Sequence, residues 1–102
     1  MKFERTDHFK ADYRKLKPAE RDKFRAAVHE INRAAGTEQD PRRVQWPDRL
    51  RLKAVESAPA VWEMTWSFAG PDGRATFEFV RIDDALGIRW RRIGGHDIFR
   101  GP

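Results

Sequence analysis

The sequence predicts an α+β fold in which two N-terminal helices pack on one face of a four-stranded antiparallel sheet. Three observations carry this expectation. Apolar residues recur at helical spacing through the first third and at every second position through most of the remainder, so helix and strand are segregated along the chain. The tetrapeptide Gly70-Pro71-Asp72-Gly73 separates two alternating segments, with proline fixing φ and the last glycine free to turn left-handed. Finally, 102 residues with seven Phe, four Trp and one Tyr suit one hydrophobic core, so residues 1–102 are read as a single domain.

Each element has a local cause. Phe3 fits a short opening strand, and Thr6 or Asp7 can cap a helix with Phe9, Tyr13 and Leu16 on one side. Pro18 suits the first turn of a second helix, Phe24, Val28, Ile31 and Ala35 mark its buried stripe, and Gly36 ends it. Residues 36–48 lack a period and contain two prolines, which reads as a surface loop. Beyond it Leu50, Leu52 and Ala54 alternate with Arg51 and Lys53, and Trp62, Met64, Trp66 and Phe68 alternate with Glu63, Thr65 and Ser67. Ala75, Phe77 and Phe79 alternate with Arg74, Thr76 and Glu78. The turn Asp83-Asp84-Ala85-Leu86-Gly87 then leads into Ile88–Ile93, completing a meander.

Composition narrows the function classes. With 21 Lys and Arg against 16 Asp and Glu, the formal charge of +5 favours polyanionic partners. Arginine exceeds lysine, which suits bidentate phosphate recognition, although a GC-rich coding sequence enriches arginine equally well. Without cysteine there is no disulfide framework, thiolate metal site or catalytic thiol. The start of the chain is charged where a signal peptide needs an apolar run, and no stretch approaches the ~20 residues of a membrane span, so a cytoplasmic protein with no membrane partner is expected. Gly-rich phosphate loops, serine elbows and zinc motifs are missing, and His8 and His29 lack partners at ligand spacing; no metal site is expected.

If the aromatic residues lie under the helices, strand alternation puts Arg51, Lys53, Glu63, Thr65, Arg74, Thr76, Glu78, Arg89 and Arg91 on the opposite face. A solvated outer face is the ordinary explanation of such a pattern. The functional one is that five cations in one layer can surround a ribose-phosphate backbone. His96, after Gly94-Gly95, is either an ordinary surface residue or an imidazole brought to the rim of that face for proton transfer. Trp62 and Trp66 read as core. Trp90 is left open, and Trp46 either stacks on a base or covers the core's edge.

The order of elements and several local sequences resemble the RelE/ParE superfamily of bacterial toxins. The resemblance spans nearly the whole chain: Phe9–Leu16 is similar to the family's opening helix, Leu52-Lys53 and Val61–Met64 to its central strands, Gly73–Phe77 to the strand bearing its central arginine, and Gly95–Arg100 to its closing segment. It implies a RelE-like, ribosome-dependent mRNA endoribonuclease of a type II toxin–antitoxin system, with ribosome, mRNA and a cognate antitoxin as partners and neither a metal nor a small-molecule cofactor. On that basis Arg74 is assigned to the phosphate, Glu63 to the base, His96 to the acid, and Arg51, Lys53, Arg89 and Arg91 to RNA binding. Two positions depart from the pattern: Thr65 stands where many relatives have arginine, and Phe99 where a tyrosine often closes the chain. Alternatives are a ParE-like toxin that poisons DNA gyrase, and a non-catalytic RNA- or protein-binding module of the same fold.

Overall fold

The computed structural model describes residues 1–67 and 72–95. Its elements are β1 (Lys2–Arg5), α1 (Asp7–Arg14), α2 (Pro18–Ala35), two 3₁₀ turns (Pro41–Arg43 and Asp48–Leu50), β2 (Lys53–Val55), β3 (Ala58–Ser67), β4 (Asp72–Ile82) and β5 (Ala85–Gly95). The chain is α+β, but the sheet is five-stranded, in the order β1-β5-β4-β3-β2. β1 runs parallel to β5 and the other pairings are antiparallel, which corrects the expectation of four antiparallel strands. The short opening strand expected at Phe3 is present as β1, but its place in the sheet was not expected, because the parallel pairing needs a feature elsewhere. Gly87, opposite Lys2, supplies it: a Cβ at Gly87 would lie 3.0 Å from the Lys2 carbonyl oxygen and 2.6 Å from Ile82 Cδ1.

Both helices begin where the sequence indicates. Thr6 is the N-cap of α1, its Oγ1 accepting from Phe9 N at 3.1 Å and donating to the Arg91 carbonyl at 2.9 Å. Pro18 opens α2, and Glu20 accepts from Lys17 N at 2.8 Å, satisfying a donor just outside the helix. Gly36 ends α2 at φ 53° and ψ −122°, a conformation that disfavours side chains, yet nothing lies within 4 Å of a Cβ built there. Gly36→Ala should therefore cost about 1–2 kcal/mol through backbone strain alone, read as a lower denaturation midpoint.

The core lies between the helices and one sheet face. Trp90 is at its centre, with ring centroids 5.0 Å from Phe24, 5.1 Å from Phe77 and 6.0 Å from Phe9, so its role is packing. Met64, Trp66, Phe77, Ile88 and Ile93 are also buried; fully burying such side chains contributes about 1.5–3 kcal/mol each. Trp62 and Phe79 are only half-buried, and the connecting loop covers them. Trp46 stacks on Phe79 at 5.6 Å and donates its indole N–H to the Pro41 carbonyl at 3.2 Å, so it closes the core's edge. The alternation read from Leu50 onward is interrupted: Leu50 is buried at the end of a 3₁₀ turn, and only Lys53–Val55 form a strand. Among the described residues no helix is long and apolar enough to cross a membrane.

Beyond its pairing with β1, β5 is covered by α1. Thr6 N donates to the Trp90 carbonyl at 3.0 Å, and further along Ile93 N donates to Asp12 Oδ2 at 3.1 Å. The same carboxylate accepts from Arg92 Nε at 2.7 Å and Nη2 at 3.2 Å. An α1 side chain thus replaces a neighbouring strand at this part of the edge.

Candidate nucleic-acid interface

The strand register brings most of the charged residues singled out above into adjacent rows. Lys53 is opposite Glu63, Glu63 is opposite Thr76, and Thr76 is opposite Arg92. The next row holds Thr65, Arg74 and Gly94, and on the other side Glu78 is opposite Arg89. Residues directly opposite one another on a sheet face have Cβ atoms about 4.5–5.5 Å apart, close enough for long polar side chains to meet.

Two carboxylates organise the cations. Glu63 Oε1 is 3.4 Å from Lys53 Nζ and its Oε2 is 3.9 Å from Arg74 Nε. Glu78 Oε2 is 3.6 Å from Arg89 Nη1 and its Oε1 is 3.5 Å from Arg91 Nη1. Glu4 adds a 3.0 Å contact to Arg89 Nε. The Glu63 and Glu78 pairs are wider than an ordinary N–H···O bond of about 2.7–3.2 Å, so they are Coulombic contacts and not tight hydrogen bonds.

A β-bulge explains how β5 serves both faces. The register jumps from Thr76 opposite Arg92 to Phe77 opposite Trp90, leaving Arg91 as an extra residue. Arg91 reaches Glu78 on the outer face, Arg92 reaches Asp12 in α1, and Ile93 returns to the core opposite Ala75. Strict alternation would have sent Ile93 to the same face as Arg91.

Of the site residues assigned from the sequence, Glu63, Arg74 and Lys53 lie together, and Arg89 and Arg91 meet at the neighbouring carboxylate. Arg51 belongs to no strand: it follows the second 3₁₀ turn at φ 46° and ψ 48°, with its N–H donated to the Asp48 carbonyl, which corrects its assignment to a strand face. The physical reason is that the turn over Asp48–Leu50 takes the backbone out of the extended conformation that alternation requires. His96 and Phe99, like Phe68 and the Gly70-Pro71 part of the turn, lie outside the described residues. Among the described residues no cluster of three or more histidine, aspartate or glutamate side chains could hold a metal ion.

Sequence reasoning gave Thr76 no role beyond its place on the face. It is only 2% exposed, and its Oγ1 has no hydrogen-bond partner among the described residues. An orphaned buried hydroxyl of this kind costs about 1–3 kcal/mol. Thr76→Val should leave stability unchanged or raise the melting temperature by a few degrees, as measured by thermal melting. A lowered melting temperature would show that the hydroxyl contributes to folding.

Chemically, this face offers cations for phosphate oxygens and carboxylates able to accept a proton. A scan against protein-family models, a search of curated proteins and a search of solved structures each found no match for the chain.

Proposed function

We propose that the chain is a RelE-like toxin that cleaves messenger RNA on the ribosome and is silenced by a cognate antitoxin. The observation that carries this reading is the placement of Glu63 between Lys53 and Arg74 on the helix-free face, with Arg89 and Arg91 beside it. In the proposed reaction Glu63 accepts the proton of a ribose 2′-hydroxyl as its oxygen attacks the adjacent phosphorus. Arg74 neutralises the non-bridging oxygens while charge accumulates on them. The bond from phosphorus to the 5′-oxygen breaks, and His96 protonates the leaving oxygen, giving a 2′,3′-cyclic phosphate and a 5′-hydroxyl. No metal or organic cofactor takes part in this scheme.

An antitoxin requires an apolar docking surface with basic surroundings. A cleft of about 290 Å³ between β1 and the helices supports that part of the reading, being lined by Phe3, Tyr13, Phe24 and Val28 with Arg5 and Arg25 beside them. An amphipathic acidic segment matches it in polarity and charge.

A reconstituted translation reaction tests the proposal. The expected result is mRNA cut only when ribosomes are present, with new 5′-hydroxyl ends and no dependence on added divalent metal beyond the ribosome's own need. Intact mRNA with gyrase-cleaved DNA accumulating would transfer the reading to a gyrase poison, and intact mRNA and DNA together would reject both.

A further inference from the structure

Glu78 carries a negative charge in the middle of a surface read as binding polyanions. It sits two residues along β4 from Thr76, about 6.6–6.8 Å away on the same face. Its two oxygens are divided between Arg91 at 3.5 Å and Arg89 at 3.6 Å, as the two oxygens of a phosphodiester would be. We propose that Glu78 is an internal surrogate for a nucleic-acid phosphate, holding Arg89 and Arg91 in an anion-binding arrangement and yielding them when a polyanion arrives. This inference rests on the nucleic-acid reading of the face, though not on the cleavage chemistry.

Three features fit displacement better than a fixed structural pair. The Glu78 side chain is 26% exposed and the two arginines 37% and 43%, so solvent and ligands reach all three. Neither contact has the length of a tight hydrogen bond, and pairs of this kind contribute little net stability. Arg89 is also held by Glu4 at 3.0 Å, so it keeps its place when Glu78 moves away, and Arg91 stands at the bulge of β5.

The two possible roles of Glu78 have opposite signs. A glutamate that only orients the arginines would weaken binding when neutralised; one that competes with phosphate would strengthen it. The probe is a uniformly 2′-O-methylated RNA oligonucleotide, which binds without being cleaved, titrated against the full chain over a series of salt concentrations. Glu78→Gln is expected to tighten binding about fivefold at low salt and to steepen the logarithmic salt dependence by about 0.7, the increment for one additional phosphate on a single strand. The gain should vanish in an Arg91→Gln background, and Glu78→Ser should reproduce it if glutamine disturbs the fold. Unchanged or weaker binding by the folded variants overturns the proposal, as does failure of both parent and variants to bind the oligonucleotide. Tighter binding by Glu78→Gln together with intact mRNA in the translation reaction would uphold the surrogate and reject the nuclease.

Discussion

Asp12→Ala is expected to destabilise the protein by about 3 kcal/mol, a large part of the 5–15 kcal/mol that holds most domains folded. The Asp12 side chain is only 8% exposed and accepts three hydrogen bonds: two from the guanidinium of Arg92 and one from the backbone of Ile93. Removing it orphans the Ile93 N–H at the edge of β5 and leaves Arg92 without its carboxylate at the foot of α1. The partnership is also visible in Arg92 itself, whose pKa is raised above the ordinary arginine value, chiefly by the hydrogen bond to Asp12. Arg92 is 31% exposed, so water recovers some of its lost solvation, which puts the expected cost at the lower end for a broken buried pair. Asp12→Asn keeps one acceptor and should cost roughly half as much. Urea denaturation of the three proteins measures the effect, and a change below about 1 kcal/mol for the alanine variant would show that α1 covers β5 by apolar packing alone.

Asp12 also shows what sequence reasoning missed. It lies on the same side of α1 as Phe9 and Leu16 and is buried with them, and acids are rarely buried without a partner. Its partner was not readable. Arg92 is 80 residues away, and its reach to α1 accompanies a bulge that leaves no mark in an alternating pattern. The helices were legible for the opposite reason: Thr6, Pro18 and Gly36 act within one helical turn of their own positions. The central strands were legible because β3 and β4 alternate long enough to fix a face. The opening strand at Phe3 was legible too, but its parallel pairing depends on Gly87, which lies far along the chain.

The candidate site divides along the same line. Glu63, Arg74 and Lys53 come together because β2, β3 and β4 keep a regular register across Lys53–Glu63 and Glu63–Thr76. Arg51 stands only two residues before Lys53, but the left-handed turn at Arg51 breaks the period that would have carried it onto the same face. Glu78 was visible in the sequence only as one residue of the polar face. Its significance comes from distances to two arginines on another strand, which a one-dimensional pattern does not contain.

Arg74→Ala is expected to lower single-turnover mRNA cleavage by about 10²–10³-fold, the usual cost of removing one donor aimed at developing charge. The loss should fall on the chemical step and not on complex formation, because Lys53, Arg89 and Arg91 still supply backbone contacts and Arg74 is matched by Glu63 at 3.9 Å in the free protein. Arg74→Lys retains the charge without the planar fork, so it should recover only part of the rate. Glu63→Gln should lower the rate by about 10²-fold or more through loss of the base, while leaving oligonucleotide affinity equal to or above the parent's because a negative charge has been removed. Arg89→Ala should do the reverse, raising the ribosome concentration needed for half-maximal rate and flattening its salt dependence with little change at saturation. Arg89→Ala should shift the denaturation midpoint by no more than about 1 kcal/mol equivalent, since its ion pairs are solvent-exposed and contribute little to folding. A full-rate Arg74→Ala variant, or equal losses in rate and affinity for Glu63→Gln, would remove this face from the chemistry and leave it as a binding surface.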